Sequence, residues 1–221
     1  PNALLLSPIG EELDAIEDPD VEIATMRKAI VPDVPWMVTR GIAEHNATNP
    51  NYDPALAPVF GYILFICFAE QVEVINQLLW TLEQEDENAD VAWSKCRGWG
   101  ASWVGCLIAL WGWAFSQYWP KKRPFNVLML SRKEEYVDSK LQRSLFWKIR
   151  RLMRDMPDWQ MPVGWNPDIH DQKGVLINPE NGNEIGGEST NTNAGRGDRV
   201  TFAWIDEAAA IPDLLGKWST L

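Results

Sequence analysis

The fold is decided by the stretch Arg199-Val-Thr-Phe-Ala-Trp-Ile-Asp206-Glu207-Ala-Ala-Ala-Ile211, in which a run of β-forming residues ends in two adjacent carboxylates. A continuous apolar run is typical of a buried parallel strand, and in α/β sheets ligands bind at the carboxyl ends of the strands. The pattern therefore predicts an α/β fold that brings Asp206 and Glu207 to a binding crevice. In an ATPase such a strand is the Walker B motif, whose Asp helps to hold Mg²⁺ and whose Glu polarises the attacking water.

A second motif lies upstream and reads Asp90-Val-Ala-Trp-Ser-Lys95-Cys96-Arg97-Gly98-Trp-Gly100-Ala101-Ser102-Trp103. A β-like run, a turn with glycines and a long apolar segment follow one another as strand, loop and helix do in a phosphate-binding loop. Ser102 occupies the position of the hydroxyl that ligates Mg²⁺, but Lys95 replaces the first Gly of the usual motif and Ala101 replaces its Lys. Lys95 and Arg97 are the only cations in the loop. The alternative is a glycine-containing turn ahead of a core helix.

The ordered set of motifs resembles the ATPase domain of the large terminase subunit, the DNA-packaging motor of tailed bacteriophages. That family has a deviant Walker A motif with a Lys at its start and an Arg inside it, and Lys95 and Arg97 match both. A strand ending in Ser-Arg is similar to residues 125–132, and a Gly- and Asn-rich segment with Gly-Arg-Gly is similar to residues 186–199. The resemblance covers about residues 60 to 215.

The resemblance implies a P-loop NTPase of the ASCE/RecA-like type, with a mostly parallel sheet, helices on both faces and a small N-terminal lid-type subdomain. It implies that ATP is hydrolysed with Mg²⁺ to drive double-stranded DNA into a procapsid. Ser102 and Asp206 are expected to hold Mg²⁺, with Glu207 as the catalytic base. The expected nucleotide-binding residues are Lys95, Cys96, Arg97, Gly98, Gly100, Ala101, Ser102, Trp103 and Gln71. Gln71 lies where the family reads the adenine edge, although an ordinary helix-surface glutamine would look the same.

An arginine finger is expected from one of two loop arginines. Arg196 lies between two glycines, where the family places a finger that acts on a neighbouring subunit, and Arg97 is the competing candidate within the same subunit. Such a finger neutralises charge in the transition state of phosphoryl transfer. A loop arginine at the entry of a strand is the structural alternative for Arg196.

The charge of the chain is unevenly distributed, although its net value is −11. Residues 1–90 hold 17 acidic and 3 basic residues, whereas residues 91–221 hold 14 acidic and 17 basic residues. DNA contact therefore needs a local basic surface. Apolar residues recur at helical spacing from Glu134 to Met156, which predicts one amphipathic helix with basic residues off its apolar stripe. Arg151 and Arg154 are the predicted contacts with DNA phosphates.

The proline-rich residues 1–57 are expected to form an N-terminal arm or lid subdomain, and residues 58–221 an ATPase core that ends before a nuclease domain. The resemblance implies a portal protein and a small terminase subunit as partners, a homo-oligomeric ring in the assembled motor, a monomer in isolation, and the host-cell cytoplasm as location. Residues 98–120 carry no charge and satisfy a transmembrane criterion. A buried helix without membrane contact is favoured because the flanking strands suit a nucleotide-binding fold. A superfamily-2-type helicase and a non-catalytic interaction module remain alternatives.

Overall fold

The computed structural model describes residues 69–83, 91–95, 98–118, 124–156, 160–190 and 200–211. The predicted N-terminal arm lies outside these ranges, as do Cys96, Arg97 and Arg196. In chain order the elements are α1 (Ala69–Glu83), α2 (Ala101–Phe115), β1 (Val127–Ser131), α3 (Glu134–Val137), α4 (Leu145–Asp155), α5 (Pro167–His170), β2 (Asp171–Gln172), β3 (Val175–Ile177), β4 (Glu184–Ser189) and β5 (Phe202–Ile205), with 3₁₀ turns at Ser116–Tyr118 and Ala208–Ala210.

The strands form one five-stranded sheet in the order β2-β3-β4-β1-β5. Strand β1 lies at the centre of a parallel group with β4 and β5, while β2 and β3 extend the β4 side as antiparallel strands. All residues of β1 are buried, as expected of a central parallel strand. The predicted mixed α/β fold with a mostly parallel sheet is confirmed. The turn-forming residues Pro179-Glu-Asn-Gly182 predict a hairpin. The structure confirms it, because β3 and β4 pair antiparallel with Gly182 at φ 75° in the turn between them.

Helix α2 forms the centre of the core and lies directly on the sheet. A Cβ at Gly105 would overlap the ring of Trp204 on β5, and a Cβ at Gly112 would overlap the ring of Phe125. These two glycines let the backbone of the helix approach two large aromatic rings. Ser116 ends α2, so the uncharged segment contains a helix of 15 residues, most of them buried. In the described part of the chain, no helix is long and apolar enough to cross a membrane.

Three helices lie on the same face of the sheet. Met129 of β1 pairs in register with Gly187 of β4 and with Trp204 of β5. The Cα–Cβ directions at these three positions therefore lie on the same face of the sheet. Gly187 meets Val137 of α3 and Phe146 of α4, and Trp204 meets α2. Leu128 and Leu130 of β1 are buried on the opposite face. Helices on both faces remain a prediction.

Two local predictions were wrong. Val91–Lys95 was expected to form a strand, but it has no regular structure, and the ring of Trp93 packs edge-on against Trp99 at 4.2 Å instead. The predicted single helix from Glu134 to Met156 is broken between α3 and α4. It breaks because the Asp138 carboxylate turns to accept from the Gly174 amide, and because the Ser144 hydroxyl caps α4 by accepting from the Trp147 amide.

Candidate functional site at the carboxyl edge of the sheet

The two principal motifs of the sequence meet at the carboxyl ends of the parallel strands. The Ser102 hydroxyl, in the first turn of α2, donates to Asp206 Oδ2 at 2.9 Å across 104 residues of sequence. The Asp206 amide donates to the Leu130 carbonyl at 2.9 Å, which fixes this carboxylate at the end of the β1–β5 pair. The prediction that the apolar strand brings Asp206 to the sheet edge is confirmed.

The loop before α2 has the backbone that a turn into a helix requires. Gly98 and Gly100 have φ of 84° and 83°, a region that suits glycine. The Gly100 carbonyl accepts from the amides of Trp103 and Val104 and starts the helix. The first N–H groups of a helix have no intrahelical acceptor and carry positive potential, which suits an anion. Lys95 is exposed in the same loop.

Gln71 supports this loop from α1. Its side chain is 3% exposed and donates from Nε2 to the Trp99 carbonyl at 2.8 Å. A Cβ at Gly100 would lie 3.0 Å from the same nitrogen, so the glycine also makes room for Gln71. The amide thus orders the turn into α2, and its role at the adenine edge stays a prediction.

Glu207 differs from Asp206 in both backbone and surroundings. Its φ is 55°, an uncommon left-handed conformation for a residue other than glycine. Its carboxylate Oε2 lies 3.0 Å from Arg132 Nε, with side-chain exposures of 53% for Glu207 and 40% for Arg132. Arg132 also donates from Nη2 to the Tyr136 hydroxyl at 3.2 Å. The predicted base is therefore held at the protein surface by an arginine that follows β1.

A buried layer lies below Asp206. Cys106 is fully buried, and its Sγ lies 3.6 Å from the Leu145 carbonyl. Burial raises the pKa of this thiol far above its ordinary value, and the Asp206 carboxylate adds to the rise. Lys148 is 8% exposed and donates to the carbonyls of Gln142 at 3.0 Å and Ser144 at 3.4 Å. Burial lowers the pKa of Lys148, and Asp206 opposes that shift.

The Asp206 site offers oxygen ligands suited to Mg²⁺. The Ser102 hydroxyl and the Asp206 carboxylate supply oxygen atoms, which are the ligands that Mg²⁺ prefers. Mg²⁺ commonly takes only one or two such protein ligands, and water and substrate phosphates complete its coordination. The Ser131 hydroxyl is buried at the same edge and has no hydrogen-bond partner among the described residues. Among the same residues, no group of three or more His, Cys, Asp or Glu side chains could hold a metal. Ser102 and Asp206 would hold Mg²⁺.

The predicted DNA contacts differ in exposure. Arg154 is exposed near the end of α4, whereas Arg151 is 8% exposed. A side chain this buried has little surface to offer a duplex, so Arg154 is the better candidate for phosphate contact. Arg150, on the same predicted basic face, is held by the carboxylates of Asp138 and Asp171.

Arg132 and Lys148 were not predicted as site residues. Arg132 could have been found, because it directly follows a strand that was predicted to run parallel to the Walker B strand, and parallel strands end at one edge. Lys148 gives no such signal, because a lysine in an amphipathic helix normally faces water. Only the packing of α4 against α2 places it near Asp206.

No family model matches the chain, and no curated protein matches it significantly.

Proposed function

We propose that this chain is an ATP-hydrolysing P-loop domain of the kind that drives DNA packaging in tailed bacteriophages. The supporting observation is the hydrogen bond of 2.9 Å between Ser102 Oγ and Asp206 Oδ2. A hydroxyl at the start of a helix and a carboxylate after a parallel strand are the two protein groups that hold Mg²⁺ in P-loop NTPases. The order of motifs, from the Lys95 loop to Glu207, supports the terminase type.

Each residue has a separate part in the reaction. The turn at Gly98–Gly100 and the first amides of α2 bind phosphate oxygens, and Lys95 and Arg97 add positive charge. Ser102 and Asp206 would hold Mg²⁺, which when bound would supply neutralising charge to the nucleotide phosphates. Glu207 orients the attacking water and accepts its proton. Either Arg196 or Arg97 acts as the arginine finger, which neutralises negative charge on the transferred phosphoryl group in the transition state.

The test is Mg²⁺-dependent binding of a fluorescent ATP analogue. We expect Asp206→Asn to weaken binding in the presence of Mg²⁺ by about tenfold or more, because a neutral amide replaces the metal-binding carboxylate. Binding without Mg²⁺ should change much less. Asp168→Asn is the matched control, because Asp168 is an exposed aspartate on α5, away from this edge.

Two outcomes would contradict the proposal. One is a wild-type chain that does not bind the analogue, and the other is an Asp206→Asn variant that keeps full Mg²⁺-dependent affinity. A chain that binds the nucleotide but shows no turnover in the assembled motor with DNA would favour the non-catalytic nucleotide-fold module.

A further inference from the structure

Lys148 is a buried cation that the proposed reaction does not use. It lies on α4, where a lysine normally keeps its ammonium group in water. Its Nζ donates to the uncharged carbonyls of Gln142 and Ser144. Among the residues that the structure describes, no carboxylate lies within ion-pair distance of Lys148. Burying a charge without a directly paired countercharge costs free energy, so this ammonium group is held inside the protein at a cost to stability.

The packing of α4 against α2 places Lys148 beside the start of α2. Its Nζ lies 6.0 Å from the centre of the Trp103 ring, and Trp103 directly follows Ser102, the proposed magnesium ligand. One turn further along α2, Cys106 Sγ contacts the Leu145 carbonyl at 3.6 Å. Contacts between the two helices therefore hold the buried charge next to the helix end that is proposed to bind phosphate.

The Asp206 carboxylate interacts with this cation at longer range. Asp206 accepts from the Ser102 hydroxyl, and its negative charge opposes the fall in the pKa of Lys148 that burial causes. Lys148 and Asp206 also shift the pKa of the Cys106 thiol in opposite directions. Salt screens buried charges much less than exposed ones. The charge of Lys148 therefore acts on the Asp206 site without a direct contact.

We propose that the buried charge of Lys148 serves the phosphate site, where it attracts the nucleotide phosphates toward the first turn of α2. In the usual P-loop motif a lysine directly before the hydroxyl residue supplies such a charge, and Ala101 occupies that position here. Lys148 thus supplies from α4 part of the positive charge that this position lacks. It is a positioning residue, and this inference deepens the proposed function, on which it rests.

The charge of Lys148 has opposite effects on the two proposed ligands of the site. A positive charge attracts metal-free ATP, which carries about four negative charges, and it repels Mg²⁺. Because bound Mg²⁺ cancels about two of those charges, the attraction is weaker for the Mg²⁺ complex. Removal of the Lys148 charge should therefore weaken the binding of metal-free ATP most, and the stimulation of binding by Mg²⁺ should rise. Removal of the Asp206 carboxylate should lower that stimulation instead.

A purely structural role of Lys148 predicts a different result. If Lys148 only held the backbone at Gln142 and Ser144, its loss would disturb the packing around Trp103 and displace Ser102. A displaced Ser102 hydroxyl weakens the Mg²⁺-bound complex most, because the metal is its proposed ligand. The stimulation of nucleotide binding by Mg²⁺ would then fall.

The experiment measures the affinity of a fluorescent ATP analogue by anisotropy, once in excess EDTA and once in excess Mg²⁺. Lys148→Met keeps most of the apolar stem and removes the charge. We expect it to weaken metal-free binding by about three- to tenfold and Mg²⁺-dependent binding by less than about threefold. Lys148→Arg keeps a positive charge and should recover most of the metal-free affinity.

Two further variants separate the charge of Lys148 from other effects. Lys148→Gln keeps a hydrogen-bond donor without the charge, and it should follow Lys148→Met, including where Lys148→Met does not fold. Lys140→Met is the matched control, because Lys140 is an exposed lysine in the linker before α4, where water and salt screen its charge. It should change both affinities slightly and alike. Circular dichroism and urea unfolding establish that each variant is folded.

Two results from folded Lys148 variants would overturn the proposal. One is a metal-free affinity that is unchanged, or that falls no more than the Mg²⁺-dependent affinity. The other is a fall in the stimulation by Mg²⁺, which would assign Lys148 a structural role. Failure of the proposed function appears in other proteins of the same experiment. A wild-type chain that does not bind the analogue contradicts both proposals, whereas Asp206→Asn with full Mg²⁺-dependent affinity contradicts the proposed function alone.

Discussion

Arg132 and Arg150 are two arginines of one fold that meet carboxylates in opposite ways. Arg132 makes one contact of 3.0 Å with Glu207, and both side chains are exposed. Arg150 contacts Asp138 at 2.6 Å and Asp171 at 2.8 Å, and the Asp138 side chain is only 8% exposed. The first pair lies at the carboxyl edge of the parallel strands, and the second joins α4 to the antiparallel edge at β2.

The difference separates a contact that can open from one that holds the fold together. Arg150 has its charge matched by two acids, and although burial opposes that charge, the hydrogen bonds to Asp138 and Asp171 raise the pKa of Arg150. Asp138 also accepts from the Gly174 amide at 2.7 Å, so its charge is satisfied from two sides. Arg132 has one acid, and water reaches both partners. Chemistry that needs a free Glu207 is compatible only with the exposed arrangement of Arg132.

The largest expected effect is a loss of ATP hydrolysis when Glu207 of the exposed Arg132–Glu207 pair is replaced. Glu207→Gln keeps the size of the side chain but removes the proposed base, so hydrolysis in the assembled motor should fall by about 10²–10⁴-fold, or about 3–5 kcal/mol in the barrier. The free energy of unfolding should change by less than about 1 kcal/mol, because the lost ion pair is exposed. Phosphate release and denaturant unfolding measure the two quantities.

The control for Glu207→Gln is Glu134→Gln, which removes an exposed carboxylate elsewhere on the surface. It should leave phosphate release unchanged. Turnover of Glu207→Gln near the wild-type rate would remove Glu207 from the mechanism, and a large loss of stability would show that the exposed pair holds the fold after all.

The second prediction compares the two arginines directly. Arg150→Met keeps the apolar stem but leaves Asp138 and Asp171 without their cation, so it should cost about 2–3 kcal/mol of unfolding free energy. This value lies below the range for a fully buried pair because Arg150 is partly exposed. Arg132→Met should cost less than about 1 kcal/mol. Urea unfolding of both variants gives the difference, and equal costs would contradict the distinction drawn here.

The sequence predicts those parts of the site that are local in the chain. The strand before Asp206, the helix that begins near Ser102 and the turn at Gly182 all follow from short local runs of residues with clear apolar patterns or turn chemistry. Their meeting at one edge follows from the parallel order of the strands. The proximity of Ser102 and Asp206 is therefore expected from sequence, whereas the hydrogen bond between them is seen only in the structure.

The remaining contacts depend on register and packing. Arg132 reaches Glu207 only because β1 and β5 pair in a register that aligns Leu130 with Ile205. The predicted long helix fails at Asp138, where side-chain contacts with Gly174 and Arg150 compete with the helical pattern. The strand predicted at Val91 fails because short apolar runs have weak preferences that tertiary contacts override. Glu207 and Gly174 are distant in sequence from Arg132 and Asp138, so no local window of residues contains these two contacts.

A last comparison sets the exposed ion pair against the buried layer below Asp206. Cys106 is fully buried in the folded chain and reaches water only when the chain unfolds. In the unfolded chain its thiol has the ordinary pKa of 9.0. In the folded chain, burial raises the pKa of the thiol, the Lys148 charge opposes this rise, and the Asp206 charge adds to it by a smaller amount. Above pH 9.0 the folded state therefore binds one more proton than the unfolded state.

The smallest expected effect follows from this proton. A raised pKa in the folded state means that stability is complete below pH 9.0 and falls as the pH rises above it, by about 1.4 kcal/mol per pH unit for this one group. Cys106→Ser keeps a hydroxyl that can donate to the Leu145 carbonyl, but it does not ionise in this range. Urea unfolding from pH 8 to 10 should give a steeper loss for the wild type than for Cys106→Ser, beginning near pH 9.0. Groups that do not interact with Cys106 contribute alike to both curves, so the difference between the curves reports Cys106 together with Lys148, whose pKa depends in part on Cys106. Parallel curves would mean that the Cys106 thiol ionises as easily in the folded chain as in the unfolded chain. Water would then reach the buried residues below Asp206 as well as the exposed Glu207 and Arg132.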